Sequence, residues 1–187
     1  MTRRQPQFIV ITGGSRSGKS QFAVALAKRL GRRVTYLATC GAADAEMRAR
    51  IRRHRAARPA QWRTIEHPSD PAAALARLNG STDAVILDCL TMYIAELLMQ
   101  RLSDETIAQR VTRLCAAIRR VRAPVILVTN EVGSSVVPDR RLGRRFRDVA
   151  GVANQQVVRA ADQAFFMVAG MAVPIKGAAR GGNSYAP

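Results

Sequence analysis

Eight residues near the start of the chain match the pattern G-x-x-x-x-G-K-[S/T], which holds nucleotide phosphates when it joins a strand to a helix. An apolar run, residues 8–11, precedes the motif, and a helical pattern follows it. The glycines let the backbone wrap around phosphates, which the amide groups and the helix N-terminus attract. We call this segment the phosphate loop, and its predicted nucleotide-binding residues are Gly13, Gly14, Ser15, Arg16, Ser17, Gly18, Lys19 and Ser20.

Two side chains of the phosphate loop have further predicted roles. Lys19 would neutralise β- and γ-phosphate oxygens, and Ser20 would ligate magnesium. A second candidate magnesium ligand, Asp88, ends the apolar run 84–87. An acid at a strand end near such a loop holds magnesium, often through water. Asp88 also precedes a helical pattern and would serve as its N-cap, with Thr91 as a second cap; we favour the magnesium role.

His54 lies in an arginine-rich helical segment, with arginines at 50, 53, 55 and 58. Nearby cations disfavour the charged imidazolium, which leaves a neutral ring able to act as a nucleophile. The same arginines would attract a triphosphate. The alternative is a surface histidine in a solvated basic helix, and composition alone favours that alternative. The other histidine, His67, has no comparable setting.

A polar segment, residues 129–133, follows another buried strand. Ligands bind beyond the carboxyl ends of strands in open α/β sheets, so Asn130 and Glu131 could serve a polar substrate. The alternative is a tight loop with local side-chain bonds. The chain lacks the Asn/Thr-Lys-x-Asp run by which regulatory GTPases read guanine, which disfavours that class.

Length and composition predict one compact domain. The chain has 187 residues, 48% of them hydrophobic, and strand and helix patterns alternate along it. This alternation indicates an α/β fold with a mainly parallel central sheet flanked by helices. We expect a domain over residues 1–176, with a Gly/Ala/Ser-rich and flexible tail at 177–187.

Three cysteines and the apolar pattern bear on location. Cys40, Cys89 and Cys115 match no metal motif, which favours free thiols in a reducing compartment, the cytoplasm. The sequence has no stretch of about 18 uncharged apolar residues, so no membrane-spanning helix is expected.

The formal charge of +17 permits a nucleic-acid reading. Only three of the 30 basic residues are lysines and only 5% of residues are aromatic. No basic stripe interleaved with aromatics is present. We therefore expect a solvated arginine-rich surface that faces nucleotide phosphates in part, and no nucleic-acid partner.

Several segments together resemble the bifunctional adenosylcobinamide kinase / adenosylcobinamide-phosphate guanylyltransferase family. The likeness runs in the family's order from about Val10 to Lys176. The segments that carry it are TGGSRSGKS at 12–20, YLAT at 36–39, RIRRH at 50–54, RPAQWRTIE at 58–66, DCLT at 88–91, VTNEVG at 128–133, RFRDVAG at 145–151 and NQ at 154–155.

The resemblance implies a single P-loop, RecA-like α/β domain and two reactions. The first phosphorylates adenosylcobinamide with ATP or GTP, and the second transfers GMP from GTP onto that phosphate, giving adenosylcobinamide-GDP. The resemblance also implies that His54 carries GMP covalently and that the enzyme is a homotrimer with shared sites. By the same match, nucleotide should contact Ala38, Thr39, Cys40, Arg55, Ala56, Ala57, Arg58, Glu66 and Asp88.

Two other functions remain open on the sequence. One is a P-loop kinase of another small metabolite, without guanylyl transfer and with His54 incidental. The other is a basic nucleic-acid-binding ATPase, whose DNA affinity would fall steeply with salt. The setting of His54 and the 129–133 segment favour the bifunctional transferase, because a helicase-type module requires neither.

Overall fold

The computed structural model describes residues 8–41, 45–56, 58–78, 80, 82–134 and 136–177, with the backbone alone at positions 46, 47, 50, 53 and 54. Its strands are β1 (Phe8–Gly13), β2 (Val34–Ala38), β3 (Arg63–Glu66), β4 (Ala84–Asp88), β5 (Val125–Val128), β6 (Gln163–Val168) and β7 (Met171–Lys176). Its helices are α1 (Lys19–Leu30), α2 (Ala45–Ala56), α3 (Pro71–Ala76), α4 (Leu90–Met99), α5 (Asp104–Arg120) and α6 (Arg141–Ala160).

All seven strands form one sheet in the order β3-β2-β4-β5-β1-β6-β7. Every pairing is parallel except that of β6 with β7, which is an antiparallel hairpin at one edge. The central strands β1, β2 and β5 are buried along their whole length, as expected for a parallel sheet covered on both faces. The carboxyl ends of β1, β2, β4 and β5 therefore meet at one edge.

The two faces of the sheet carry separate cores. One face packs Ile9 and Ile11 of β1 and Tyr36 of β2 against α1 and the buried Trp62. The other face packs alternate residues of the same strands against buried residues of α3, α4, α5 and α6. The predicted mainly parallel α/β fold is confirmed.

Most predicted elements lie where the hydrophobic pattern put them. The apolar pattern from Lys19 to Leu30 predicts a helix, and α1 has these bounds. The pattern over residues 140–161 predicts a basic helix that Gly143 and Gly151 would weaken, and α6 continues through both glycines. Its buried face, with Val149, Ala153 and Val157, is long enough to outweigh the cost of two glycines in a helix. The helical pattern across residues 92–102 predicts a helix that starts at Met92, whereas α4 begins two residues earlier, at Leu90.

The end of α1 corrects one sequence-based reason. Gly31 fits a left-handed helix stop by residue type, but its φ is 166°, which is extended backbone. Glycine is needed there because an added Cβ would lie 2.2 Å from the Cβ of Asp83. The Asp83 carboxylate accepts from the backbone amide of Arg32 at 3.1 Å and pairs with the Arg33 guanidinium at 2.6 Å. Hydrogen bonds from Arg33 lower the pKa of Asp83 to about 2.

No helix within the described ranges is long and apolar enough to cross a membrane. Of the predicted tail, residues 178–187 lie outside the described residues.

Candidate active site

The phosphate loop joins β1 to α1 and requires glycine at two positions. Gly13 has φ 149°, and an added Cβ would lie 2.4 Å from the carbonyl oxygen of Met167. Gly18 has φ 96° and occupies the N-cap position of α1. L side chains rarely adopt either conformation. Between them, Ser15 and Arg16 are exposed at the loop's outer turn. The backbone thus has the open curve that the motif predicts.

The side chain of Lys19 lies back over the phosphate loop. Its ammonium group donates to the carbonyl oxygen of Gly14 at 2.5 Å and contacts the hydroxyl of Ser17 at 3.3 Å. Lys19 is 7% exposed, so its charge is concentrated at the loop and away from bulk water. A phosphate oxygen in the loop would compete for this ammonium group, which agrees with the predicted role of Lys19.

Asp88 lies at the carboxyl end of β4, two strands away from β1 in the sheet, and its carboxylate turns toward the phosphate loop. The hydroxyl of Ser20 donates to Oδ2 of Asp88 at 3.3 Å. The hydroxyl of Tyr36 donates to the same oxygen. The N-cap position of α4 belongs to Cys89, which makes no side-chain cap hydrogen bond. The carboxylate of Asp88 therefore faces the phosphate loop, and the plain N-cap role that the sequence left open does not describe it.

The oxygen atoms of Ser20 and Asp88 fit a magnesium site. A hydroxyl and a carboxylate are both hard oxygen ligands, and 3.3 Å between them is close enough for one cation to contact both. Magnesium is commonly held by one or two protein oxygens, with water and substrate phosphates filling the other positions. No group of three or more His, Cys, Asp or Glu side chains able to hold a metal occurs in the described part of the chain. A site shared with a nucleotide matches this chemistry better than an all-protein cage.

Arg58, at the start of the segment leading to β3, lies on the same face of the sheet as α1. Its guanidinium stacks on the ring of Tyr36, 3.5 Å from the ring centroid. Its Nη1 lies 3.7 Å from Oε1 of Glu66, a weak ion pair. The Arg58 side chain is 7% exposed, and its Nε and Nη1 have no hydrogen-bond partner among the described residues. Buried guanidinium donors without partners are costly, and an anion beside them would remove that cost.

Tyr36 is a site residue that sequence reasoning missed. It is 2% exposed in the middle of β2, where it fits the pattern of a core aromatic residue. Burial raises the pKa of Tyr36 well above its usual value, and the adjacent Asp88 carboxylate adds to this rise. The hydroxyl therefore stays protonated and donates to Asp88. The only signal in the sequence is its place in the YLAT segment, which carries part of the family resemblance.

Other predicted nucleotide contacts lie on or near α2. Arg55 and Ala56 are exposed in the last turn of that helix, where nothing in the described chain covers them. His54 lies in α2, where the structure describes its backbone but not its side chain. Ala57 lies wholly outside the described residues. The roles predicted for these residues remain predictions.

The end of β2 contributes Ala38, Thr39 and Cys40. Ala38 is buried in the core. The hydroxyl of Thr39 donates to the carbonyl oxygen of Cys89 at 2.7 Å and accepts from the Cys89 amide at 2.8 Å. Thr39 thus ties β2 to the backbone that follows Asp88. Cys89 is buried, and burial raises the pKa of its thiol to about 12. Cys40 is only half-buried.

A buried polar network underlies the 129–133 segment. The hydroxyl of Thr129 donates to Oδ1 of Asn154 on α6 at 2.7 Å, and Nδ2 of Asn154 donates to the carbonyl oxygen of Asn130 at 3.0 Å. Asn130 in turn donates to the hydroxyl of Thr91 at 2.8 Å. Glu131 accepts from the backbone amide two residues later at 2.8 Å. Only the Glu131 bond is a local one of the kind that the tight-loop alternative requires. Thr129 and Asn130 instead bond residues 25 and 39 positions away, and these long-range bonds shape the loop. A role for the loop toward a polar substrate remains a prediction.

Comparisons with known proteins identify the family of the chain. The family model for cobinamide kinase / cobinamide phosphate guanyltransferase matches residues 9–175. The bifunctional adenosylcobalamin biosynthesis protein CobU of Escherichia coli (strain K12) is 39% identical over 180 residues, which cover 90% of this chain and 99% of that protein. The bifunctional adenosylcobalamin biosynthesis protein CobP of Pseudomonas aeruginosa (strain PAO1) is 41% identical over 172 residues, covering 90% and 96% of the two chains.

A solved structure bears on the fold alone. A prototypical ATPase from the type III secretion system of pathogenic bacteria superposes with a TM-score of 0.53 at 14% sequence identity, covering 90% of this chain and 56% of that chain. This likeness agrees with a P-loop, RecA-like α/β domain. With the phosphate loop, Asp88 and a family match over nearly the whole chain in place, the chain belongs to the cobinamide kinase / cobinamide phosphate guanylyltransferase family.

Proposed function

We propose that this enzyme phosphorylates adenosylcobinamide with ATP or GTP and then transfers GMP from GTP to adenosylcobinamide phosphate, in cobalamin biosynthesis. The observation that carries the proposal is the arrangement of Lys19 over the phosphate loop with Ser20 beside Asp88, in a chain of this family. The relatives' names describe bifunctional adenosylcobalamin biosynthesis proteins.

In the kinase step, the substrate hydroxyl oxygen attacks the γ-phosphorus of the triphosphate, and the bond to the β–γ bridging oxygen breaks. The nucleoside diphosphate leaves, and the hydroxyl proton passes to solvent. Lys19 balances the negative charge of the phosphoryl group in transfer, and the loop amides hold the β-phosphate. Ser20 and Asp88 would hold magnesium together with the nucleotide, and the cation would supply charge neutralisation at the phosphate oxygens.

In the transfer step, a ring nitrogen of His54 attacks the α-phosphorus of GTP and pyrophosphate leaves, which forms a phosphorus–nitrogen bond. A phosphate oxygen of adenosylcobinamide phosphate then attacks the same phosphorus and the phosphorus–nitrogen bond breaks. The product is adenosylcobinamide-GDP, and His54 is regenerated. Arg55 and Arg58 stabilise charge on the triphosphate. The buried Nε and Nη1 of Arg58 support this role because they lack hydrogen-bond partners within the described chain.

Product analysis with single and paired substrates tests the two-step proposal. Adenosylcobinamide with ATP alone should give adenosylcobinamide phosphate, and subsequent GTP should convert that product to adenosylcobinamide-GDP with release of pyrophosphate. Phosphorylation without conversion by GTP would favour a kinase that lacks guanylyl transfer. No turnover of adenosylcobinamide with either triphosphate would contradict the proposal.

We further propose that the enzyme works as a homotrimer in the cytoplasm, as a domain over residues 1–176 with a flexible tail at 177–187. The family resemblance supports the trimer, and the three cysteines, none of which forms a disulfide in the described chain, support a reducing compartment. Sedimentation equilibrium tests the assembly: a mass near three times 20.4 kDa is expected, and a monomer mass would contradict it.

The basic surface has no proposed nucleic-acid role. Binding to DNA at physiological salt should stay in the non-specific range, Kd of roughly 10⁻⁴–10⁻⁶ M. Sequence-dependent binding at nanomolar concentration would contradict this interpretation and favour the ATPase alternative.

A further inference from the structure

The carboxylate of Asp88 accepts a second hydrogen bond, from a residue outside the phosphate loop. Tyr36 stands on β2, the strand next to β4, two residues before Ala38, which pairs in register with Asp88. Residues two apart on a strand face the same side of the sheet. The Tyr36 ring therefore lies on the side where Asp88 meets α1, and its hydroxyl donates to Oδ2 of the carboxylate.

Tyr36 is held in place more firmly than Ser20. Its ring is 2% exposed within the core formed with α1, and the guanidinium of Arg58 stacks over its face at 3.5 Å. Ser20, in contrast, bonds Asp88 at 3.3 Å through a short side chain on the first turn of α1. Ser20 has a second role, because its hydroxyl oxygen would also contact the cation. The Tyr36 hydroxyl has no such second role, so it fixes the orientation of the carboxylate whether or not a cation is bound.

We propose that Tyr36 is a positioning residue of the magnesium site, whose hydroxyl holds the Asp88 carboxylate in the orientation that binds the cation beside Ser20. This inference rests on the proposed function, specifically on magnesium binding at Ser20 and Asp88. Hydrogen-bond partners of a ligating carboxylate orient it, and their loss typically lowers metal affinity by about 10–100-fold.

Tyr36 also contacts Arg58, whose guanidinium stacks on its ring. Arg58 follows the segment that would carry GMP, whereas Asp88 belongs to the phosphate-loop site. The ring of Tyr36 touches Arg58 and its hydroxyl touches Asp88. Tyr36→Phe removes the hydroxyl and keeps the ring, so it separates the two contacts. We expect this variant to change cation binding while the Arg58 stack persists.

Manganese, a paramagnetic substitute for magnesium, provides the test. Free Mn²⁺ is measured by electron paramagnetic resonance during titration of protein held in excess over a non-hydrolysable GTP analogue. Tyr36→Phe should weaken Mn²⁺ binding about tenfold. Its affinity for the analogue in EDTA should equal that of the unsubstituted enzyme, because the hydroxyl acts only through the carboxylate.

Two further variants make the result decisive. Tyr93→Phe is a matched control, because Tyr93 is 4% exposed in the core on the opposite face of the sheet. It should bind Mn²⁺ normally, and equal losses in both tyrosine variants would overturn the proposal. Asp88→Asn tests the underlying site. If Asp88→Asn binds Mn²⁺ weakly and Tyr36→Phe binds it normally, only the proposed role of Tyr36 is refuted. If Asp88→Asn binds Mn²⁺ normally, the proposed magnesium site itself is refuted.

Discussion

Replacement of Asn154 by leucine should destabilise the folded protein by about 2–4 kcal/mol. Asn154 is 6% exposed and makes two hydrogen bonds, to Thr129 at 2.7 Å and to the carbonyl oxygen of Asn130 at 3.0 Å. Leucine has nearly the same size but neither donates nor accepts, and it leaves little room for a replacement water. The hydroxyl of Thr129, which is 0% exposed, would then be buried without its partner. Such a group costs about 1–3 kcal/mol, and the second lost bond adds about 1 kcal/mol.

Urea unfolding, followed by circular dichroism, measures this change as a difference in the free energy of unfolding. Gln155→Ala is the matched control, because Gln155 is the next residue of α6 but is exposed, and it should change stability by less than about 0.5 kcal/mol. Thr129→Val combined with Asn154→Leu replaces both partners by apolar groups, so the pair should show a coupling energy of about 1–2 kcal/mol. Equal stability of the Asn154→Leu and Gln155→Ala variants would refute the reasoning.

Three further outcomes are expected. Lys19→Ala should lower the kinase rate by about 100-fold or more while circular dichroism is unchanged; near-normal phosphorylation would contradict the role of the phosphate loop. A thiol reagent at pH 8 should modify Cys40 alone in the folded protein and all three thiols after unfolding, because burial raises the pKa of Cys89 to about 12 and that of Cys115 to about 11; rapid loss of three native thiols would refute this. Asp83→Asn should destabilise the protein at pH 7. Because the folded pKa of Asp83 is depressed to about 2 from 3.8, the difference from the unsubstituted protein should shrink as the pH falls from about 5 toward 2; a pH-independent difference would exclude the carboxylate as its source.

Local patterns were sufficient to predict the phosphate loop and most elements. The motif at 13–20 occurs between a strand and a helix, so it predicts both neighbouring elements. The bounds of α1 were predicted correctly because its apolar stripe and its terminal glycine lie within twelve residues of each other. The glycine at 31 illustrates the limit of such reasoning. Its position was predicted by residue type, but the reason for a glycine there is the approach of Asp83, which lies 52 positions away, just before β4.

The interactions that shape the site join distant parts of the chain. Tyr36 and Asp88 are 52 positions apart, and Thr129 and Asn154 are 25 apart. Both pairs depend on the order of strands in the sheet and on the packing of α6, which hydrophobic periodicity does not determine. From the sequence, Asp88 therefore had two interpretations, a magnesium ligand near the phosphate loop or a helix N-cap. Only the fold shows which way its carboxylate points.

The most direct test of the two-step transfer is a covalent adduct on His54. The enzyme is incubated with GTP labelled at the α-phosphate and magnesium, without adenosylcobinamide phosphate, and protein-bound label is counted. We expect label that is lost in acid and retained in base, as for a phosphorus–nitrogen bond, and lost in the His54→Ala variant. His67→Ala, which changes the other histidine, should keep the label. Label that persists in the His54→Ala variant would place the nucleophile elsewhere and contradict the account.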